Sequence, residues 1–127
     1  MVCRGIRGAI DVEANDAGEI LAGTRHLLER IAAANHLSVE DVASVIFTVT
    51  PDLDAAHPAR AAREMGWSSI PLLCMQEIAV ADSLPRCIRV LVLWNTDRSP
   101  DQVRHVYLGR ARQLRPDLTE GGKAWPE

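Results

Sequence analysis

The sequence predicts an α/β fold, a sheet packed by helices on one side. Three observations carry that reading. Extended and helical patterns follow one another as β, α, β, α, β, β, α, an order that lays helices over a sheet. A stretch at 16–35 repeats its apolar positions with helical period, and runs at 70–75 and 87–94 are apolar enough for buried strands. A chain of 127 residues, 47% of them apolar, supports one core. The reading is a single domain over 1–116, followed by a loosely ordered, flexible tail at 117–127.

Residues 2–12 read as a strand in which Arg4 and Arg7 interrupt an apolar run, with Gly5 and Gly8 beside them. Three residues apart on extended backbone, the two guanidinium groups point to opposite faces, so at most one serves a given pocket. The glycines signal a bulge or the close approach of another backbone or a ligand. An edge strand defended by charge is the plainer alternative. Asn15 or Asp16 opens the first helix, and Glu19, three residues after Asp16, matches the capping box. Its buried stripe is Ile20, Leu21, Leu27, Leu28 and Ile31, with Ala17, Thr24 and Ala32 filling in and Arg25 and His26 left wet. Ser38 and Asp41 mark a short helical turn, and 43–50 is a β-branched strand stopped by Thr50-Pro51-Asp52.

Pro58 near the first turn and Gly66 just past the end bracket a second helix, on which Arg60 and Arg63 share a face. The strand at 70–75 stops just before Glu77, and a connection broken by Pro85 leads into the strand at 87–94, which carries Arg89 at its middle. Ser99, Pro100 and Gln102 agree on the start of a third helix. That helix is expected to bury Val103, Val106 and Tyr107 and to end at Gly109, leaving 110–115 for a final edge strand. A sheet covered on one face, with an apolar second face, calls for a partner subunit.

Composition and spacing exclude several chemistries. A net charge of −3 and a pI near 5.8 provide no basic field for nucleic acid or an anionic membrane. No window approaches the ~18 apolar residues of a membrane span. Cys3, Cys74 and Cys87 are isolated and lack CxxC spacing, which fits a reduced, cytoplasmic setting; Cys3 and Cys87 read as small buried hydrophobes. His26, His36, His57 and His105 are too scattered for a metal site, and no histidine is placed by sequence to activate Cys74. RGIRGA lacks the spacing of a phosphate loop.

What remains is charge in apolar places. An unpaired guanidinium inside a strand costs several kcal/mol, so Arg89 requires an anionic partner or a polar cavity. Glu77, just past the end of the preceding strand, is the candidate partner, and a simple structural ion pair satisfies the same demand. Lys123 is the only lysine, so nearly every cation is an arginine suited to a bidentate grip on carboxylates; a GC-rich genome produces the same bias. Several arginines, Glu77 and Tyr107 on distant elements suit a small dianionic substrate, without an acid, base or nucleophile for covalent work.

Five segments, RGIRGAI at 4–10, TPDLDAAHPARAARE at 50–64, GWSSIPLLCMQEI at 66–78, RCIRV at 86–90 and RHVYLGRARQLRPDL at 104–118, resemble in the same order the small trimeric monofunctional chorismate mutases of the Bacillus type. The resemblance implies a mixed β-sheet with helices, closing as a homotrimer into a pseudo-α/β barrel with active sites at the subunit interfaces. It implies the [3,3] Claisen rearrangement of chorismate to prephenate, with no cofactor and no metal. On this resemblance Arg7 and Tyr107 bind a substrate carboxylate, Arg89 the ether oxygen, and Glu77 and the Cys74 thiol the ring hydroxyl. Leu73, Met75 and Gln76 line the same segment. Arg60 and Arg63 reach in from the neighbouring subunit or gate entry, His57 and Ala59 are further substrate-binding positions, and Leu114 and Arg115 come from the C-terminal segment. His57 stands where the family places Phe, and Arg60 where it places Lys. Two alternatives stay open: a non-catalytic aromatic-acid sensor, which has no use for Glu77 beside an anion, and an imine-deaminase-like interface enzyme, which RGIRGA, CMQE and RCIRV disfavour.

Overall fold

The computed structural model describes residues 1–117. Its regular elements are β1 (Val2–Asp11), α1 (Ala17–Asn35), β2 (Val42–Val49), α2 (Ala59–Glu64), β3 (Leu72–Gln76), β4 (Cys87–Thr96) and β5 (Val106–Leu108), with 3₁₀ turns at Val39–Asp41, Pro100–Gln102 and Gly109–Leu114. The strands form one sheet in the order β3-β2-β4-β1-β5. The central β4 runs antiparallel to β1 and β2, while the outer pairs β1 with β5 and β2 with β3 are parallel. This is a mixed sheet, and a parallel pair requires a crossover. The stretch containing α2 supplies it between β2 and β3.

Alternation along the strands divides the faces. Ile6 and Ile10, Val45 and Phe47, Val90 and Val92 are buried in one core with Ile20, Leu27, Leu28 and Ile31 of α1. Asp16 caps that helix by accepting the Glu19 N–H at 3.0 Å, whereas the Glu19 carboxylate accepts the Glu13 N–H at 3.3 Å; the reciprocal half of the capping box is thus redirected. Gly8 lies directly beneath α1: a Cβ there would stand 2.7 Å from Ile31 Cδ1 and 2.9 Å from Val90 Cγ1. Close approach, and not a bulge, explains this glycine, since β1 pairs with β4 in unbroken register. The opposite face leaves Leu73, Met75 and Leu91 exposed alongside Arg7 and Arg89.

The C-terminal third corrects the sequence reading. The expected third helix is a single 3₁₀ turn, although its capping box forms as anticipated at Ser99 and Gln102. Cap residues set where a helix starts, and its length depends on how the residues beyond the cap are best buried. Here Val106 and Leu108 gain burial by pairing beside β1, so Tyr107 sits on a strand and faces the other way. Gly109 turns the chain at φ 61 into a 3₁₀ turn through Leu114, where an edge strand was expected. Cys3 is exposed, because β1 places it near the end of the open face. The middle of β1 is flanked on both sides, so charge defence of an edge does not account for Arg7. Except for Asp117, the tail assigned to 117–127 lies outside the described residues. No helix among the described residues is long and apolar enough to cross a membrane.

Candidate active site

One cross-strand row organises the open face. Arg89 on β4 pairs with Thr48 on β2 and Ala9 on β1; Thr48 pairs in turn with Met75 on β3, and Ala9 with Tyr107 on β5. The row therefore reads Met75, Thr48, Arg89, Ala9, Tyr107. Strands are spaced ~4.8 Å apart, so Arg89 and Tyr107 stand about 10 Å apart across Ala9. Only a methyl group lies between a guanidinium and a phenol.

Glu77 joins this row from just beyond β3. Its N–H donates to Val49 O at 2.8 Å, which carries the strand pairing one residue further and keeps the alternation in step. The carboxylate meets Arg89 Nε at 3.1 Å through Oε2, and the Thr48 hydroxyl donates to the same oxygen at 2.6 Å. The Glu77 side chain is 18% exposed and that of Arg89 45%. Arg89 thus has both features its position demands, an anionic partner and an open, polar side.

The neighbouring groups are shaped by burial and positive charge. Cys87, at the foot of β4, has its thiol pushed up to about 12, chiefly by burial, with the Glu77 and Asp11 charges adding and Arg89 opposing. Burial also raises the Tyr107 phenol, against the pull of Arg7, Arg115 and Arg89, so this hydroxyl is a donor at neutral pH. His105 is held low by burial first and then by Arg7 and Arg115; its Nδ1 accepts the Arg7 backbone N–H at 2.9 Å. Arg115 is bound to Asp117, with Nη2 to Oδ2 at 2.9 Å. Leu114 packs against the small cluster of Ala9, Cys87, Tyr107 and Ala111. Three guanidinium groups therefore bear on one phenol, with one carboxylate at the far end of the row. Such a face is built to receive a small anion that also presents a hydroxyl.

A second group lies elsewhere on the chain. Cys74 pairs with Phe47 and packs against the core on the helix side, so it does not face Glu77 within one chain. It lines a groove of about 510 Å³ together with Val49, Leu53, His57, Pro58, Met75 and Gln76. A histidine thus shares the groove with Cys74, which spacing in the sequence does not reveal. On α2, Ala59 is buried, Arg60 pairs with Glu64 at 3.3 Å, and Arg63 is exposed. Leu73 stands on the open face with Met75. One chain therefore gathers Arg7, Glu77, Arg89, Tyr107, Leu114 and Arg115 about the row, and holds His57, Ala59, Arg60, Arg63, Cys74 and Gln76 apart from it. Sequence reasoning missed Thr48 and Ala9. The available signal was a hydroxyl amid the apolar run at 45–49, and an alanine where strands prefer bulk.

Among the described residues, no three His, Cys, Asp or Glu side chains gather to hold a metal ion.

Known proteins agree with this architecture along nearly the whole chain. The family described as chorismate mutase type I matches residues 3–118. Chorismate mutase AroH of Thermus thermophilus is 56% identical over 116 residues, which cover 91% of this chain and 95% of that protein. Chorismate mutase AroH of Bacillus subtilis strain 168 is 49% identical over 120 residues, 94% of each. A solved chorismate mutase from Clostridium thermocellum matches with a TM-score of 0.86 and 52% identity, covering 87% of this chain and 99% of that one. With sequence, fold and coverage in accord, the chain belongs to the chorismate mutase type I family.

Proposed function

We propose that the chain converts chorismate to prephenate by a [3,3] rearrangement, on the route to phenylalanine and tyrosine, at sites shared between subunits of a homotrimer. The observation that carries this reading is the Arg89–Glu77 pair at 3.1 Å, turned to an open face beside Tyr107. With Glu77 only 18% exposed, desolvation offsets much of what such a pair contributes to stability. Its placement is better explained by what it presents to a ligand.

The rearrangement moves electrons around one ring of atoms and needs neither acid, base nor nucleophile. Its catalyst selects a reactive shape and stabilises charge that develops in the transition state. As the C–O bond stretches ahead of C–C formation, the ether oxygen becomes negative, and Arg89 lies ready to bind it. Removing one donor of this sort costs about 3 to 4 kcal/mol of transition-state stabilisation. Glu77 accepts the ring hydroxyl and stands beside the allyl-cation-like half, while Arg7 and Tyr107 hold a carboxylate and so fix the folded conformer. Arg115 and Leu114 close the C-terminal side.

The trimer reading is supported by the division of the site residues. A neighbour that turns its groove toward the row brings His57, Ala59, Arg60, Arg63, Cys74 and Gln76 to the substrate and covers Leu73, Met75 and Leu91. The Cys74 thiol then approaches the ring hydroxyl from the neighbour's side. The test monitors chorismate absorbance after mixing with purified protein, beside Arg89→Ala, with no metal or cofactor added. Rapid loss with prephenate formed, slowed about 10²- to 10³-fold in the variant, is the expected result. Chorismate binding without acceleration points instead to a sensor.

A further inference from the structure

We infer that Thr48 is a positioning residue for this reaction, acting through Glu77; the inference rests on Glu77 being the group that accepts the substrate hydroxyl. Thr48 belongs to the row, paired with Arg89 on one side and Met75 on the other. Its hydroxyl donates to Glu77 Oε2 at 2.6 Å, the length of a charge-assisted bond. Arg89 Nε meets that same oxygen at 3.1 Å. Both contacts engage Oε2, which leaves Oε1 to accept from the substrate.

Glu77 needs such an anchor. It lies one residue past the end of β3, at the sheet edge, where its backbone N–H to Val49 O at 2.8 Å fixes the main chain only. Its side chain has three rotatable bonds, and Arg89 alone is a broad target. A freely turning carboxylate would offer both oxygens to the guanidinium in the bidentate manner these groups favour. That arrangement satisfies Arg89 with the wrong anion and removes Oε1 from the substrate. Thr48 opposes it by holding Oε2 on the β2 side. A threonine suits this task, because branching at Cβ restricts the rotamers of its hydroxyl. Valine keeps that shape and β preference and loses only the donor.

Steady-state kcat and KM are to be compared for the wild type, Thr48→Val, Thr48→Ser, Glu77→Gln and the Thr48→Val/Glu77→Gln double variant, with circular dichroism and the denaturation midpoint verifying each fold. Thr48→Val is expected to lower kcat about tenfold, in the range for a lost hydrogen bond to a charged group, with KM within about threefold of wild type. Thr48→Ser restores turnover to within about threefold, since the donor is what matters. In the double variant the Thr48 change adds little to the loss from Glu77→Gln, the mark of two groups acting as one. Should Thr48→Val fold poorly, Thr48→Ala carries the same comparison. Unchanged kcat in Thr48→Val, no rescue by serine, or losses that multiply independently in the double variant each overturn the inference. A folded wild type that does not consume chorismate overturns the functional reading beneath it.

Discussion

Arg89 and Tyr107 face the same side of the sheet two strands apart, and the residue between them in the row is Ala9. The smallness of Ala9 lets a planar cation and a phenol reach one ligand from opposite ends. Both are set by strand alternation, so their spacing is as rigid as the sheet itself.

Replacing Arg89 by lysine keeps the charge and loses the planar fork. Turnover is expected to fall about 10²-fold or more, and the apparent affinity far less, because the lysine point charge does not sit where the ether oxygen becomes negative. Steady-state kinetics with chorismate decide this, and a variant with wild-type kcat would contradict the assigned role.

Tyr107→Phe removes a hydroxyl that burial keeps protonated. Its expected effect is a several-fold rise in KM, with kcat changed little, as for a group that binds ground and transition states alike. A collapse of kcat at unaltered KM would show instead that the phenol acts in the transition state.

Gly8→Ala tests the packing of α1 on the sheet. The added methyl would meet Ile31 Cδ1 at 2.7 Å and Val90 Cγ1 at 2.9 Å, and Ile31 is wholly buried. Overpacking of this kind costs about 1 to 3 kcal/mol, read as a lower denaturant midpoint at unchanged m-value. An unshifted midpoint would mean that the helix can move aside freely.

His105 links stability to pH. Burial, with Arg7 and Arg115, holds it below its ordinary 6.5, and its unprotonated Nδ1 accepts the Arg7 N–H. The unfolded chain takes up this proton first as the solution is acidified. The contribution of His105 is therefore complete above pH about 6.5 and disappears as pH falls through its lowered folded value. Denaturant midpoints at pH about 7.5 and about 5 should differ less in His105→Gln than in the wild type; equal differences would remove His105 from the account.

Much of this is legible in the chain because single residues make demands that few arrangements meet. Arg89 in an apolar strand requires an anion, and Glu77 supplies it at 3.1 Å. Arg4 and Arg7, three apart, belong on opposite faces of a strand; Arg4 donates to Arg98 O at 3.1 Å, while Arg7 lies with His105 on the other side. The failures have a common origin. Ser99, Pro100 and Gln102 announce a helix regardless of the residues beyond them, and only the parallel neighbour β1 draws Val106–Leu108 into a strand. Likewise the resemblance brings Cys74 and Glu77, three apart, to one hydroxyl, although strand alternation places them on opposite faces of a single sheet. Long-range pairing and subunit contacts lie beyond local pattern.

β1 holds a further consequence, one of timing. It precedes the other four strands of the sheet, yet its neighbours are β4 and β5; Val2 pairs with Thr96, Asp11 with Cys87, and Ala9 with Tyr107. Closing so long a loop delays non-local pairing, and topologies dominated by such contacts fold slowly. Arg7 therefore reaches its place among Arg89 and Tyr107 only when the chain through Leu108 is available. The concentration-independent phase of refolding on dilution from denaturant thus clocks the chain's widest closure.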